Sequence, residues 1–296
     1  NAQRSASFRI STISDQTAPI NNLTREISRH PFIPASKAEF DSRALEILKI
    51  QSTGLARRMM SANTERLVIG LSGGLDSTLA FLVCLETLKV LDLAPANLHA
   101  LTMPGPGTTD QTKNNAHELA SSAGIELKEI DINKAVDQHL TDLEHEGEHD
   151  VVYENSQARE RTQILFDYAN KTAAIVVGTG DLSELALGWC TFNADQMSNY
   201  NVNVSIPKTM IAYLVDWYAL NHAKPRLANI LKKVIATPIS PELVPPTNGE
   251  ISQKTEEIIG PYELHDFFLF HFLRHGATPS KIFKLAIIAF SAKYSE

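Results

Sequence analysis

Two glycine-rich turns, each leading into a carboxylate, carry the residues best suited to chemistry in this sequence. The first, Gly70-Leu71-Ser72-Gly73-Gly74-Leu75-Asp76-Ser77, follows the apolar segment Leu67-Val68-Ile69 and runs into a helical pattern over residues 78–88. A strand, a glycine turn and a helix start make a seat for phosphate oxygens. Gly70, Gly73 and Gly74 let backbone amides approach an anion closely. Ser72 and Ser77 add hydroxyl donors, and the helix start adds its unpaired N–H groups. Asp76 would repel that anion unless a magnesium ion stands between them, because a hard cation takes both carboxylate and phosphate oxygens. The plainer account is an ordinary turn with Asp76 and Ser77 as helix caps. The run lacks the Lys-Ser/Thr ending of GxxxxGK[ST] and does not fit GxGxxG, so neither a P-loop nor a dinucleotide-binding turn is indicated.

The second turn, Gly178-Thr179-Gly180-Asp181-Leu182-Ser183-Glu184, follows the apolar segment 174–177. Glu184 falls in the first turns of the next helix, at the same sheet edge as the first loop. Converging on one phosphate-bearing ligand, Asp76 and Glu184 would form a magnesium site completed by phosphate oxygens. A surface position for Glu184 is an equal alternative from spacing alone.

The elements that must position these turns alternate. Strands are predicted at 67–70, 97–103, 126–131 and 174–178, with helices near 75–89, 109–122, 155–170 and 208–220. This is the pattern of an α/β, three-layer, mostly parallel sheet with helices on both faces, followed by C-terminal helices. Residues 1–35 read as a tail or interdomain linker remnant and 36–296 as the domain. The acidic, histidine-containing segment 137–154 reads as a solvated loop, and the stretch from Thr237 to Glu250, with four prolines, as a mobile connection. Phe267, Phe268, Phe270 and Phe272 give more apolar surface than one solvent-facing helix should show, which burial or a subunit interface would absorb.

Composition narrows the partners. Over 296 residues, 43% are apolar and the formal net charge is −7, which supports a buried core and argues against nucleic acid as the main partner. No apolar run approaches the roughly 18 residues of a membrane span, and no signal peptide is legible, so the expected location is the cytoplasm, with no membrane partner. Cys84 and Cys190 are too few for a disulfide scaffold or a four-ligand zinc site.

The SGGxDS loop resembles that of the ATP pyrophosphatases, which cut ATP between its α- and β-phosphates. The order SGGLDS, Met103-Pro104-Gly105 with Thr108 and Thr109, Glu154 to Arg161, GTGDLSELALGW, and Asn203 to Thr209 ending in Pro207-Lys208-Thr209 resembles NAD synthetase. The similarity is to the synthetase domain of the glutamine-dependent form, over about residues 36–290, with an adenine nucleotide alpha hydrolase-like fold. It implies ATP-dependent amidation of deamido-NAD. The nicotinate carboxylate attacks the α-phosphate and releases pyrophosphate; ammonia then attacks the adenylate, giving NAD and AMP.

The resemblance also implies residue roles. The loop from Ser72 to Ser77 holds pyrophosphate, and Asp76 and Glu184 hold magnesium. Thr179 and Thr191 match positions lining the ATP pocket, Lys208 matches a phosphate-binding lysine, and Arg159 matches a dinucleotide contact across a dimer. Asp195 matches an acidic position near the nicotinate and ammonia. Ala194 stands before it where the family more often has Gly; if that backbone needs positive φ, alanine costs about 1 kcal/mol. A homodimer or larger homo-oligomer is implied, with the C-terminal helices and the Glu154–Arg161 helix between subunits. A nitrilase-like glutaminase domain accompanies glutamine-dependent members; with no room for one in this chain, free ammonia is the expected donor. Another ligase of the group, such as GMP synthetase, and a nonenzymatic nucleotide-binding module are the alternatives.

Overall fold

A computed structural model describes residues 25–237, 243 and 255–294. In chain order its elements are α1 (Lys37–Ser61), β1 (Leu67–Gly70), α2 (Leu75–Val90), β2 (Leu98–Thr102), α3 (Asp110–Ala123), β3 (Leu127–Glu129), α4 (Asn133–Asp142), α5 (Val151–Thr172), β4 (Ile175–Gly178), α6 (Leu182–Leu187), β5 (Tyr200–Asn201), α7 (Lys208–Asn221), α8 (Pro225–Ala236), α9 (Thr255–Ile259), α10 (Tyr262–His275) and α11 (Pro279–Phe290). The strands form one parallel sheet in the order β3-β2-β1-β4-β5.

Burial on both faces explains why β1 and β4 are continuous apolar runs rather than alternating ones. Leu67 and Ile69 pack with α1, α2, α7 and α8 in the larger core, whereas Val68 and Val176 point to the other face, toward Val136, Tyr153 and Ala169 of α4 and α5. β1 pairs with β2 on one side and β4 on the other, with Ile69 opposite Val177. The direction of strand addition reverses between β1 and β4, and the crevice at such a switch point is where parallel sheets bind ligands. Both glycine turns open into it.

The structure revises several expected boundaries. Segment 137–154 is a loop only in its middle: residues up to Asp142 finish α4, and α5 begins at Val151, four residues earlier than expected. Asp150 caps it, its side chain accepting from Val152 N and Tyr153 N. β5 escaped prediction because two residues carry no periodic signal. Within the expected tail, residues 25–35 have defined seats: Arg29 Nε donates to Ala289 O at 2.9 Å and Phe32 packs edge-on to Phe270. The prolines at 238, 241, 245 and 246 lie outside the described residues. Phe267 is the centre of a separate C-terminal core with Phe290 and Leu285. Phe268 and Phe272 instead face outward and line an apolar groove with Phe283. Among the described residues no helix is long and apolar enough to cross a membrane.

Candidate active site

The first glycine turn is fixed by steric need. Gly73 has φ +87°, and a Cβ there would stand 2.1 Å from Thr112 O of α3. We predict that Gly73→Ala destabilises the fold by at least about 1–2 kcal/mol, the left-handed backbone alone accounting for that; an unchanged urea midpoint would show that the turn rearranges freely. Ser72 Oγ lies 3.0 Å from Ser77 Oγ, and Ser77 Oγ donates to Gly74 O. Gly74, the N-cap of α2, supplies no side chain to its first-turn amides, so these N–H groups keep their donor capacity for an anion.

At the second turn, Asp181 and Glu184 form a reciprocal capping box. Asp181 Oδ1 accepts from Glu184 N at 2.8 Å and Glu184 Oε2 accepts from Asp181 N at 3.2 Å. Each carboxylate thereby spends one oxygen on the helix start and presents the other to the crevice. Asn203, fully buried, ties the two turns together by donating from Nδ2 to Asp76 O and Thr179 O.

Lys208, the first residue of α7 and only 2% exposed, closes the arrangement. Its Nζ lies 2.7 Å from Asp76 Oδ2, from Asp181 Oδ2 and from Glu184 Oε1. Three carboxylates against one ammonium leave two formal negative charges at the switch point. Asp76 Oδ1 is buried without a hydrogen-bond partner, and Asp181 Oδ2, buried as well, has the Lys208 ammonium at 2.7 Å as its ion-pair partner. The three carboxylates offer oxygens within 4.8 Å of one another. A hard divalent cation fits this donor set and its charge.

The titration behaviour follows from the crowding. Burial, with Asp76 adding to it and Lys208 opposing, pushes Asp181 up to about 6. Burial, then Asp76 and Asp181 against Lys208, pushes Glu184 up to about 8. Burial alone would lower the Lys208 ammonium, but its three carboxylates hold it well above the usual lysine range. Between its unfolded value near 4.5 and about 8, Glu184 keeps a proton in the native state that the unfolded chain has lost, so its share of stability falls as pH rises. We expect the thermal midpoint in chelator to fall relative to that of Glu184→Gln between about pH 5 and 8, and magnesium to restore it most at the upper end. A difference independent of pH would remove Glu184 from the crowded cluster.

The other predicted residues gather along α5. Thr191 Oγ1 donates to Asn155 Oδ1, Thr191 N donates to Asp195 Oδ1, and exposed Arg159 donates from Nε to Phe192 O. Phe192 itself is 69% exposed. Thus Gly70, Ser72, Gly73, Gly74, Asp76, Ser77, Thr179, Glu184 and Lys208 stand at the switch point, while Thr191, Asp195 and Arg159 form a flanking wall. The concern about Ala194 falls away, because the left-handed residue of that loop is Asn193, with φ +59°, and Ala194 is buried outside that region. Asp181 was missed as a site residue; the D-x-x-E spacing that signals a capping box was its available cue.

A model of the family described as NAD synthase matches residues 47–291. The chain belongs to the NAD synthase family. It is 41% identical over 273 residues to the glutamine-dependent NAD(+) synthetase of Mycobacterium leprae, covering 89% of this chain and 40% of that protein. It is 30% identical over 243 residues to that of Thermotoga maritima, covering 81% and 40%. The chain therefore spans about two fifths of the length of these curated relatives. Among solved structures, the NH3-dependent NAD synthetase of Campylobacter jejuni shares 26% identity at a TM-score of 0.56, covering 86% of this chain and 97% of that one. The NMN synthetase of Francisella tularensis superposes at a TM-score of 0.64 with 24% identity, covering 84% and 94%, and shows the fold. The Lys208 cluster is thus an acidic centre at the switch point of a chain of the NAD synthase family.

Proposed function

We propose that this chain catalyses ATP-dependent amidation of deamido-NAD to NAD, with ammonia as nitrogen donor and AMP and pyrophosphate as products. The observation that carries the reading is the junction of the SGGLDS turn with Asp181, Glu184 and Lys208 at the switch point, in a chain of this family. A free carboxylate is a poor acceptor for ammonia, and adenylation converts its oxygen into part of a leaving group.

The residues divide that work. The turn from Ser72 to Ser77 and the first amides of α2 receive the oxygens of the pyrophosphate portion of ATP. Asp76, Asp181 and Glu184 would hold magnesium, which when bound neutralises charge growing on the departing pyrophosphate. Lys208 opposes the upward shift of Asp181 and Glu184 and supplies positive charge beside the leaving group. Thr179 and Thr191 border the nucleotide, and Arg159 and Asp195 flank the dinucleotide. The outward aromatic face of α10 and the Arg159 face of α5 are where we place contacts between copies in a homodimer or larger homo-oligomer, acting in the cytoplasm.

The test is AMP and NAD formation from ATP, magnesium and deamido-NAD with ammonium or glutamine supplied. NAD with ammonium is the expected result. ATP binding without AMP release would favour a nonenzymatic module, and AMP formed only with a different acceptor would redirect the assignment within the ligase group. Arg159→Ala is expected to raise KM for deamido-NAD about tenfold or more and leave KM for ATP within about twofold, since an exposed guanidinium on the flanking wall serves the acceptor. Equal losses for both substrates would reject that contact.

A further inference from the structure

The N-cap of α7 is Pro207, which offers no side-chain cap, yet the first residue of the helix, Lys208, must hold an ammonium within contact of three carboxylates. The cap comes from another element. Asp266 of α10 is 2% exposed, and its Oδ2 accepts from Thr209 N at 2.8 Å and Thr209 Oγ1 at 2.6 Å. Its Oδ1 accepts from Ser183 Oγ at 2.5 Å, and the same Ser183 hydroxyl accepts from Lys208 N at 3.0 Å. Ser183 precedes Glu184 and Thr209 follows Lys208, so one buried carboxylate grips the chain neighbours of both. One turn earlier on the same face of α10, Tyr262 lies over Lys208, its ring centroid 5.3 Å from Nζ.

We propose that Asp266 is a positioning residue of the active site, through which the C-terminal helix α10 sets where the Lys208 ammonium and the Glu184 carboxylate stand without itself meeting substrate. The chemistry suits the task. A carboxylate only accepts, and the three groups aimed at Asp266 are donors, one of them an amide at a helix N-terminus that favours negative charge. An isosteric amide would turn an NH2 toward one of those donors. Displacing a catalytic group by about 1 Å costs on the order of 10²-fold in rate, and losing a partner of a metal-holding group costs about 10–100-fold.

The test uses the whole chain and Asp266→Asn, Asp266→Ala, Ser183→Ala and Thr209→Val, with two readouts. Binding of Mn2+ alone, followed by electron paramagnetic resonance, does not depend on the function proposed above; the kinetics of AMP formation do. For the Asp266 variants, Mn2+ affinity is expected to fall about tenfold and kcat about 10–100-fold, with KM for deamido-NAD within about twofold. Should neither Asp266 variant fold, Ser183→Ala and Thr209→Val carry the test, each expected to lose about 3–10-fold in both readouts. Folded variants with Mn2+ affinity and kcat within about twofold of wild type, or a raised KM with kcat intact, overturn the proposal, as does a wild type that binds no Mn2+. A wild type that binds Mn2+ but forms no AMP sinks the proposed function and leaves Asp266 to be judged by the binding readout.

Discussion

Replacing Asp76 with Asn is expected to lower AMP formation by roughly 10²–10³-fold while leaving the fold intact. Asp76 gives one oxygen to Lys208 and holds the other buried without a hydrogen-bond partner, so the substitution removes a charge from the acidic centre, not a packing contact. The turn is held by groups the substitution spares: Asn203 grips the Asp76 carbonyl, and the Ser72 and Ser77 hydroxyls meet beside it. Lys208 retains Asp181 and Glu184. Asp76 is also one of the charges that raise Glu184, so its removal relieves the crowding. Stability at pH 8 should therefore be equal to or above that of wild type. Single-turnover AMP formation at limiting magnesium, with a thermal melt of the same preparation, checks both halves; unchanged turnover would take Asp76 out of the reaction.

Lys208→Met is the opposite case, in which activity and stability fall together. The ammonium is nearly inaccessible and is the cation facing all three carboxylates, so its loss leaves three buried or half-buried acids facing one another. Removing one partner of a buried ion pair costs about 3–5 kcal/mol. The acids can escape part of this by taking up protons. Since burial and mutual repulsion already raise Asp181 to about 6 and Glu184 to about 8, loss of the opposing ammonium moves both further upward. Native-state protons absent from the unfolded chain mean stability that declines with rising pH, so the destabilisation should be larger at pH 8 than at pH 5.5. Urea unfolding at the two pH values measures it, and adding Asp181→Asn should recover part of the loss at pH 8 through coupling between neighbours. Equal destabilisation at both values would mean that Lys208 acts by packing, not by charge.

Much of the fold was legible locally. Apolar runs leading into glycine turns marked β1 and β4 within a residue, because a strand buried on both faces needs an unbroken apolar stretch, while β2 and the largely exposed edge strand β3 lie inside their predicted spans, β3 ending two residues early. The glycine turns and the alternation with helices gave the parallel sheet and the edge at which both loops open. Where prediction slipped, the local signal was weak. β5 has two residues, and α4 lies in a stretch whose charged exposed positions hide the few buried ones, Val136 and Leu140. Pro207-Lys208 reads locally as a solvated lysine beside a proline, yet the chain buries it.

The sequence by itself determined the strand–turn–helix units, the two glycine turns with their carboxylates and the ordered motifs that mark the family. Each depends on neighbours a few residues apart. Only the tertiary structure decided that β4 lies beside β1, so that Asp76, Asp181 and Glu184 share one ammonium, and that Asp266 reaches Ser183 across 83 positions of chain. Those pairings answer to charge and unpaired donors brought together by packing, and no local periodicity records them.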